Sequence, residues 1–371
     1  MTVTVARTTV SGHGIVRYAS IGGLELEAGG YLPDVTLAYE TWGTLNADAS
    51  NAVLIEHALT GSTHVTRGDT DEPGWWEQLA GPGAPVDTDR FFVVSINIVG
   101  GCYGSTGPSS PAPDGTPWGS RFPLVTLRDS TVAEARLADK LGIKSWFAVL
   151  GGSMGGARAL EWAITFPERV QRCGVISIGA ASTAEQIAFA QAQTLAIRQD
   201  ANFNGGDYYR GPFPEDGLAL ARRIAHITYR SAAELEGRFG RAPQAPESPL
   251  QGGVLANRGR YQVESYLDHQ GNKLVRRFDA NSYIAITEAL MSHDICRGRG
   301  PLPETLARSG ARFFVAAVDS DRLYFPAQSR ELAAALPGEV DVHLITAPIG
   351  HDGFLTEIGQ LGHQLRAHLS D

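Results

Sequence analysis

Between Trp146 and Pro167 the chain changes character twice, and few folds accommodate the change. The uncharged run Trp146-Phe147-Ala148-Val149-Leu150 leads into Gly151-Gly152-Ser153-Met154-Gly155-Gly156. After the glycines, Ala159, Leu160, Trp162 and Ala163 recur at helical spacing until Pro167. A short apolar run with no alternation reads as a strand buried on both faces, which a parallel sheet covered by helices supplies. The glycine-rich turn then delivers the chain from the end of that strand into a helix. The P-loop ending Gly-Lys-Ser/Thr is absent, so phosphate cradling is not what the turn is for. It reads instead as Gly-x-Ser-x-Gly, a strained elbow that lifts a serine hydroxyl clear of the sheet.

The rest of the chain extends this pattern. Residues 35–41, Ala52 to Ile55, Phe91 to Ile96 and Gly174 to Ile178 read as further strands. A helix is expected from Leu124 to Leu141, stopped by Gly142. The rhythm breaks after about Gly179. Residues 184–300 carry helical patterns and a proline-rich interruption at Pro243, Pro246 and Pro249, without strand–helix alternation. Alternation resumes with strand Phe313 to Val318, helix Ala327 to Leu336, strand Val340 to Ile345 and helix Phe354 to Leu369. The expected fold is therefore α/β, of the α/β-hydrolase type: a mostly parallel central sheet with a helical lid insertion. Residues 1–183 and 301–371 form the core domain in this reading, and 184–300 a mainly helical lid over the sheet's active edge.

A serine hydroxyl needs a base, and the base needs a carboxylate to orient it. In this fold the chain order is Ser, then Asp or Glu, then His. Ser153 is the candidate nucleophile. His351, in Gly350-His351-Asp352-Gly353 after the last strand, is the candidate base. Asp319 and Asp321 both follow the strand ending at Val318, and spacing does not separate them. The oxyanion needs two backbone N–H donors. Met154, after the nucleophile, and Leu59, in Glu56-His57-Ala58-Leu59-Thr60-Gly61, are the candidates. His57 reads as structural, because chain order places the base last.

Composition narrows the partners. The chain has 371 residues, 43% hydrophobic and 19% charged, enough for a large core. A net charge of -9 argues against nucleic acid. Cys102, Cys173 and Cys296 form no CxxC pair or disulfide framework, and no stretch of about 18 apolar residues marks a membrane span. The expectation is a cytoplasmic protein with no membrane association. No Cys/His spacing or H-E-x-x-H motif suggests a metal.

With the elbow, His57-Ala58-Leu59-Thr60-Gly61 and Gly350 to Leu355 assembled, the chain resembles the homoserine O-acetyltransferase family. Asn97 to Pro108, Ile227-Thr228-Tyr229-Arg230-Ser231 and Arg277 to Tyr283 look like further signatures. The match runs from about Tyr39 to Leu355 and includes the insertion. The resemblance implies acetyl transfer from the co-substrate acetyl-CoA to L-homoserine on the route to methionine, through a ping-pong acyl-serine intermediate. It implies no permanently bound cofactor and suggests a homodimer through the insertion. The family's Ser-Asp-x-Leu motif falls on Ser320-Asp321-Arg322-Leu323, which favours Asp321 as the acid. Arg222 would hold the homoserine carboxylate, Asp352 the amino group, and Tyr229 would line the pocket. Two departures stand out: Ala157-Arg158 replace the usual Met-Gln after the elbow, and Arg222-Arg223-Ile224-Ala225 replaces Arg-Met-Ile-Gly. The second leaves Arg222 and Arg223 as competing substrate ligands. Succinyl transfer, acyl transfer to serine or another alcohol, and plain carboxylester hydrolysis are the alternatives the same residues allow.

Overall fold

The computed structural model of the chain describes residues 12–253, 255 and 258–370. Eight strands form the central sheet: β1 (Arg17–Ser20), β2 (Thr36–Trp42), β3 (Ala52–Glu56), β4 (Phe92–Ile96), β5 (Ala148–Gly152), β6 (Arg172–Ile176), β7 (Arg312–Val318) and β8 (Val342–Ile345). Their order across the sheet is β1-β2-β4-β3-β5-β6-β7-β8. Only β2 runs against its neighbours, pairing antiparallel with both β1 and β4, and the other pairs are parallel. This is the fold the sequence predicts, with β1 as an added edge strand that its short, half-exposed sequence does not advertise.

The strands are apolar throughout because successive side chains enter different cores. Ala52, Leu54, Val94, Val149, Val175 and Val315 point into the core on one face, which includes α1 (Leu127–Lys140) and α2 (Met154–Thr165). Val53, Ile55, Val93, Leu150, Ile176 and Phe314 point into a second core on the opposite face. Thr126 caps α1, its hydroxyl accepting from the N–H of Asp129 while the Asp129 carboxylate accepts from the N–H of Thr126.

Between β6 and β7 come α3 (Ala184–Arg198), α4 (Glu215–Tyr229), α5 (Ala232–Phe239), α6 (Gln262–Val275), α7 (Ala280–Met291) and the short α8 (Leu302–Leu306). Helix α4 packs on α3 and α6, and α3 packs on α7. The proline-rich interruption falls between α5 and α6. After β7 comes α9 (Pro326–Ala335), and after β8 the pair α10 (Gly353–Thr356) and α11 (Ile358–Ser370). The single helix expected from Phe354 to Leu369 is thus broken, with Glu357 leaving helical geometry at φ -91° and ψ 50°. The break lets α10 tuck the buried Phe354 beneath the site while α11 packs along β7 and β8.

Candidate active site

Strand β5 ends at Gly152 and α2 begins at Met154, so Ser153 alone makes the turn. Its backbone sits at φ 56° and ψ -128°, a conformation that side-chain-bearing residues rarely adopt. The flanking glycines are a packing requirement. A Cβ on Gly151 would lie 2.2 Å from the carbonyl of Gly155, and one on Gly155 would lie 2.1 Å from the carbonyl oxygen of Glu56. No side chain fits either gap.

The turn carries Ser153 to the imidazole of His351, with Oγ 2.9 Å from Nε2. The other ring nitrogen, Nδ1, lies 2.6 Å from Oδ2 of Asp321. The second Asp321 oxygen accepts from the N–H groups of Leu323 at 2.8 Å and Tyr324 at 2.9 Å, which fixes the carboxylate. Asp319 points elsewhere, accepting from the N–H of Ala347 at 3.1 Å and so joining the turns after β7 and β8. Geometry therefore separates the two acids that spacing left open. Burial opposes the charged form of His351, but the Asp321 charge and hydrogen bond, with Asp352 nearby, outweigh it and raise the imidazole above its ordinary value.

Leu59 lines the same cavity as Ser153, and Met154 is the first residue of α2, where helical N–H groups have no intrahelical partner. The loop that presents Leu59 is held from below. His57 donates from Nδ1 to its neighbour's carbonyl, Ala58, at 2.8 Å and accepts from the N–H of Ile98 at 3.2 Å. Burial, reinforced by the Arg158 charge, holds His57 down to about 3, so it stays neutral. This fits the structural role read for it. Arg158, the departure from the family's elbow, is fully buried between Glu134 and Glu56, the latter at 2.6 Å. Trp162 donates to the same Glu134 at 2.8 Å. Arg158 thus ties α2 and α1 to the end of β3, where the Leu59 loop starts. Burial pushes the Glu56 carboxyl well up, as two carboxylates share one arginine.

Helix α4 brings Arg222 and Tyr229 to one face two turns apart. The Arg222 guanidinium lies 5.4 Å from the Tyr229 ring centroid and 3.5 Å from the hydroxyl of Thr60, beside Leu59. Arg223 turns away and pairs with Asp268 of α6 at 3.0 Å. Of the two competing arginines, Arg222 faces the site. Tyr229 stands 6.0 Å from the His351 ring, and Tyr324 stands 5.2 Å from it. Asp352 precedes α10 without capping it through its side chain, and its carboxylate instead lies 3.3 Å from Arg230.

Arg230 and its neighbour Ser231 are contributions that the sequence reading passed over. Ser231 donates its N–H to the carbonyl of Ile349 at 3.2 Å and its hydroxyl to the carbonyl of Pro348. A Cβ on Gly350 would lie 2.6 Å from the carbonyl oxygen of Tyr229. The lid's α4–α5 junction is therefore stitched to the loop that carries His351. The signal was present, since Tyr229-Arg230-Ser231 stood within a recognised signature, but only the tyrosine suggested a ligand contact. Cys102 is an unpaired thiol in a loop that folds back on β2, where Thr106 donates to the Thr36 carbonyl at 2.8 Å. Burial pushes that thiol up to about 12. Arg277 links the same loop to the site, donating to Tyr103 Oη at 2.5 Å and to the Thr60 carbonyl at 3.0 Å.

Fold and site together define a class. Residues 51–358 match the family described as alpha/beta hydrolase fold, and the chain belongs to it. Its relatives narrow the class. The homoserine O-acetyltransferase of Thermobifida fusca (strain YX) is 57% identical over 343 residues, covering 91% of this chain and 89% of the relative. That of Nocardia farcinica (strain IFM 10152) is 47% identical over 357 residues, covering 95% and 92%. The chain is a member of the homoserine O-acetyltransferase family. Among solved structures, homoserine O-acetyltransferase from Bacillus anthracis superposes with a TM-score of 0.87 at 25% identity, covering 96% of this chain and 98% of that one. Esterase E22 superposes with a TM-score of 0.86 at 26% identity, covering 96% and 100%.

Proposed function

We propose that this chain is a homoserine O-acetyltransferase that moves an acetyl group from acetyl-CoA to the hydroxyl of L-homoserine, serving methionine biosynthesis. The observation that carries this reading is the relay Ser153–His351–Asp321, at 2.9 and 2.6 Å, held beneath α3, α4 and α7 in a member of that family. Ser153 is the nucleophile. His351 takes its proton as Oγ attacks the thioester carbonyl, and the N–H groups of Leu59 and Met154 receive the oxyanion. When the tetrahedral intermediate collapses, the C–S bond breaks and His351 passes the proton to the departing sulfur, releasing CoA as thiol. Homoserine then enters, His351 takes the proton from its hydroxyl, and the alkoxide attacks the acyl-serine. The second collapse returns the proton to Ser153 Oγ. This is a ping-pong exchange.

The acceptor is an amino acid, so its carboxylate needs a cation and its ammonium an anion. Arg222 serves the first with its planar fork and Asp352 the second, with Tyr229 between them. The pairing of Asp352 with Arg230 supports this reading, because it aims a carboxylate that caps no helix. The same reading divides the chain into a core, residues 1–183 and 301–371, and a lid, 184–300, though residues 1–11, 254, 256, 257 and 371 lie outside the described part. Three unpaired thiols support a cytoplasmic enzyme, and among the described residues no helix is long and apolar enough to cross a membrane. Ile187, Leu195, Leu220 and Ile227, exposed on α3 and α4, support a homodimer through the lid.

The second reading, ester hydrolysis, is favoured by the likeness to esterase E22. A thiol-reagent assay separates the two. Release of CoA from acetyl-CoA that depends on homoserine, with O-acetylhomoserine accumulating, is the expected result. Equal release without homoserine would make water the acceptor and the chain a hydrolase.

A further inference from the structure

Arg158 lies on α2 one turn after Met154, on the same side of the helix. It is fully buried, and a single nitrogen, Nη2, makes its contacts: to Oε2 of Glu56 at 2.6 Å, to Glu134, and to the carbonyl of Ile96 at 3.3 Å. Those residues stand at the end of β3, on α1 and at the end of β4. We propose that Arg158 is a positioning residue for the oxyanion site, fixing where the Leu59 N–H stands relative to Met154 and Ser153. The inference rests on the acyl-serine reading above and adds to it a residue that touches no substrate.

Leu59 follows Glu56 by three residues, and α2 grips Glu56 twice. Arg158 holds its carboxyl group, and Gly155 packs on its carbonyl so closely that a Cβ would lie 2.1 Å from the oxygen. Two such contacts keep the strand end from sliding along the helix that starts at Met154. His57, next in the chain, is fixed from the side of β4. Its Nδ1 donates to the Ala58 carbonyl at 2.8 Å, and Nε2 accepts at 3.2 Å from the N–H of Ile98, two residues beyond Ile96. Both roles need a neutral ring, because a protonated Nε2 would set N–H against N–H. Burial and the Arg158 charge together keep the ring neutral. Stability is a poor reason for this arginine. Buried ion pairs are often no better than well-packed apolar residues of the same volume, and among the described residues Nε and Nη1 have no hydrogen-bond partner. Placement is a better reason, since an oxyanion donor must stand about 2.7–3.1 Å from the oxygen it serves.

The test uses the full chain and trifluoroacetone. Ser153 Oγ adds to its carbonyl carbon, the C=O π pair becomes an alkoxide, and His351 takes the serine proton, so the adduct carries its charge where the acyl-transfer intermediate does. Arg158→Gln keeps a hydrogen-bond donor and loses the charge. It is expected to weaken trifluoroacetone inhibition and lower kcat/KM for p-nitrophenyl acetate by the same factor. That factor should be about tenfold or more, short of the roughly 10²–10³-fold that a missing donor costs. The acid limb of the pH profile should stay where it is. Arg158→Lys keeps the buried charge, so it should fold readily and show a smaller loss, again matched between the two measurements. Leu369→Ala controls for lost stability. That buried leucine follows His368, whose carbonyl accepts from Arg172 at the start of β6, at the opposite end of the sheet from Ser153. Its cavity should lower the urea midpoint and leave trifluoroacetone affinity as in the wild type. Unchanged affinity in both Arg158 variants, or an equal loss in Leu369→Ala, would overturn the inference. So would an acid limb that moves with Arg158, which would place the loss in the Ser153–His351–Asp321 relay. If mass spectrometry finds no wild-type adduct on Ser153, the acyl-serine reading itself fails and takes the inference with it.

Discussion

At the scale of single residues, the chemistry depends on an imidazole that is buried yet basic. His351 must be neutral to take a proton, and Asp321 raises its affinity for one. Activity should therefore fall as pH drops through a value above the ordinary histidine pKa of about 6.5. A pH profile of kcat/KM is expected to show that acid limb. Asp321→Asn removes the charge that raises the imidazole, so the limb should move to lower pH while kcat falls on the order of 10⁴-fold, as in other serine triads. A limb that stays in place would detach Asp321 from the base. Asp319→Asn, which removes a charge but keeps an oxygen to accept from the Ala347 N–H, should leave the limb where it is. Ser153 adds a backbone argument: at φ 56° it carries strain, so Ser153→Gly should melt no lower than Ser153→Ala, with both inactive. The juxtaposition of Ser153 and His351 was legible in the sequence because the fold fixes the order of serine, acid and histidine. The choice between Asp319 and Asp321 was not legible from spacing, since both follow one strand and only their direction differs.

At the scale of elements, the elbow works because three backbones pass within contact of one another. Gly155→Ala would place a methyl against the Glu56 carbonyl, forcing β3 and α2 apart. Overpacking of this kind typically costs about 1–3 kcal/mol, and a lower denaturation midpoint with depressed kcat is expected in urea titrations and steady-state assays. Arg158 is a second such joint. Arg158→Met leaves Glu56 and Glu134 buried without their cation, and breaking a buried pair costs about 3–5 kcal/mol. The substitution should lower the midpoint more than Gly155→Ala does. Strands β2 to β8 and the helices packed on the sheet, α1, α2 and α9, could be read from apolar runs and helical spacing, while the helices between β6 and β7 could be read only as a helical region. Strand β1 could not, because an edge strand with half-exposed residues lacks that contrast. The break at Glu357 was also hidden, since Phe354 to Leu369 keeps an apolar spacing compatible with one helix.

At the scale of the whole molecule, the proposed site draws on both the sheet and the helices between β6 and β7. The sheet supplies Ser153, Asp321, His351 and the Leu59 loop, while the insertion supplies Arg222, Tyr229 and the roof. Their mutual fit came from contacts between distant segments, such as Ser231 with Pro348 and Ile349, whose partners the signature around Ser231 does not name. Burial of neutral histidines also makes the fold sensitive to acid. His57, held down to about 3, and His226, held down to about 2 chiefly by burial, both remain unprotonated in the folded state long after the unfolded chain binds protons near pH 6.5. Their contribution is full above that value and is lost as pH falls below it, so the urea midpoint should drop between pH 7 and pH 5. The central claim is a covalent acyl-serine, and mass spectrometry of the protein mixed with acetyl-CoA tests it most directly. The peptide containing Ser153 should gain one acetyl group and lose it when homoserine is added. An unmodified Ser153 peptide throughout homoserine-dependent CoA release would contradict the claim.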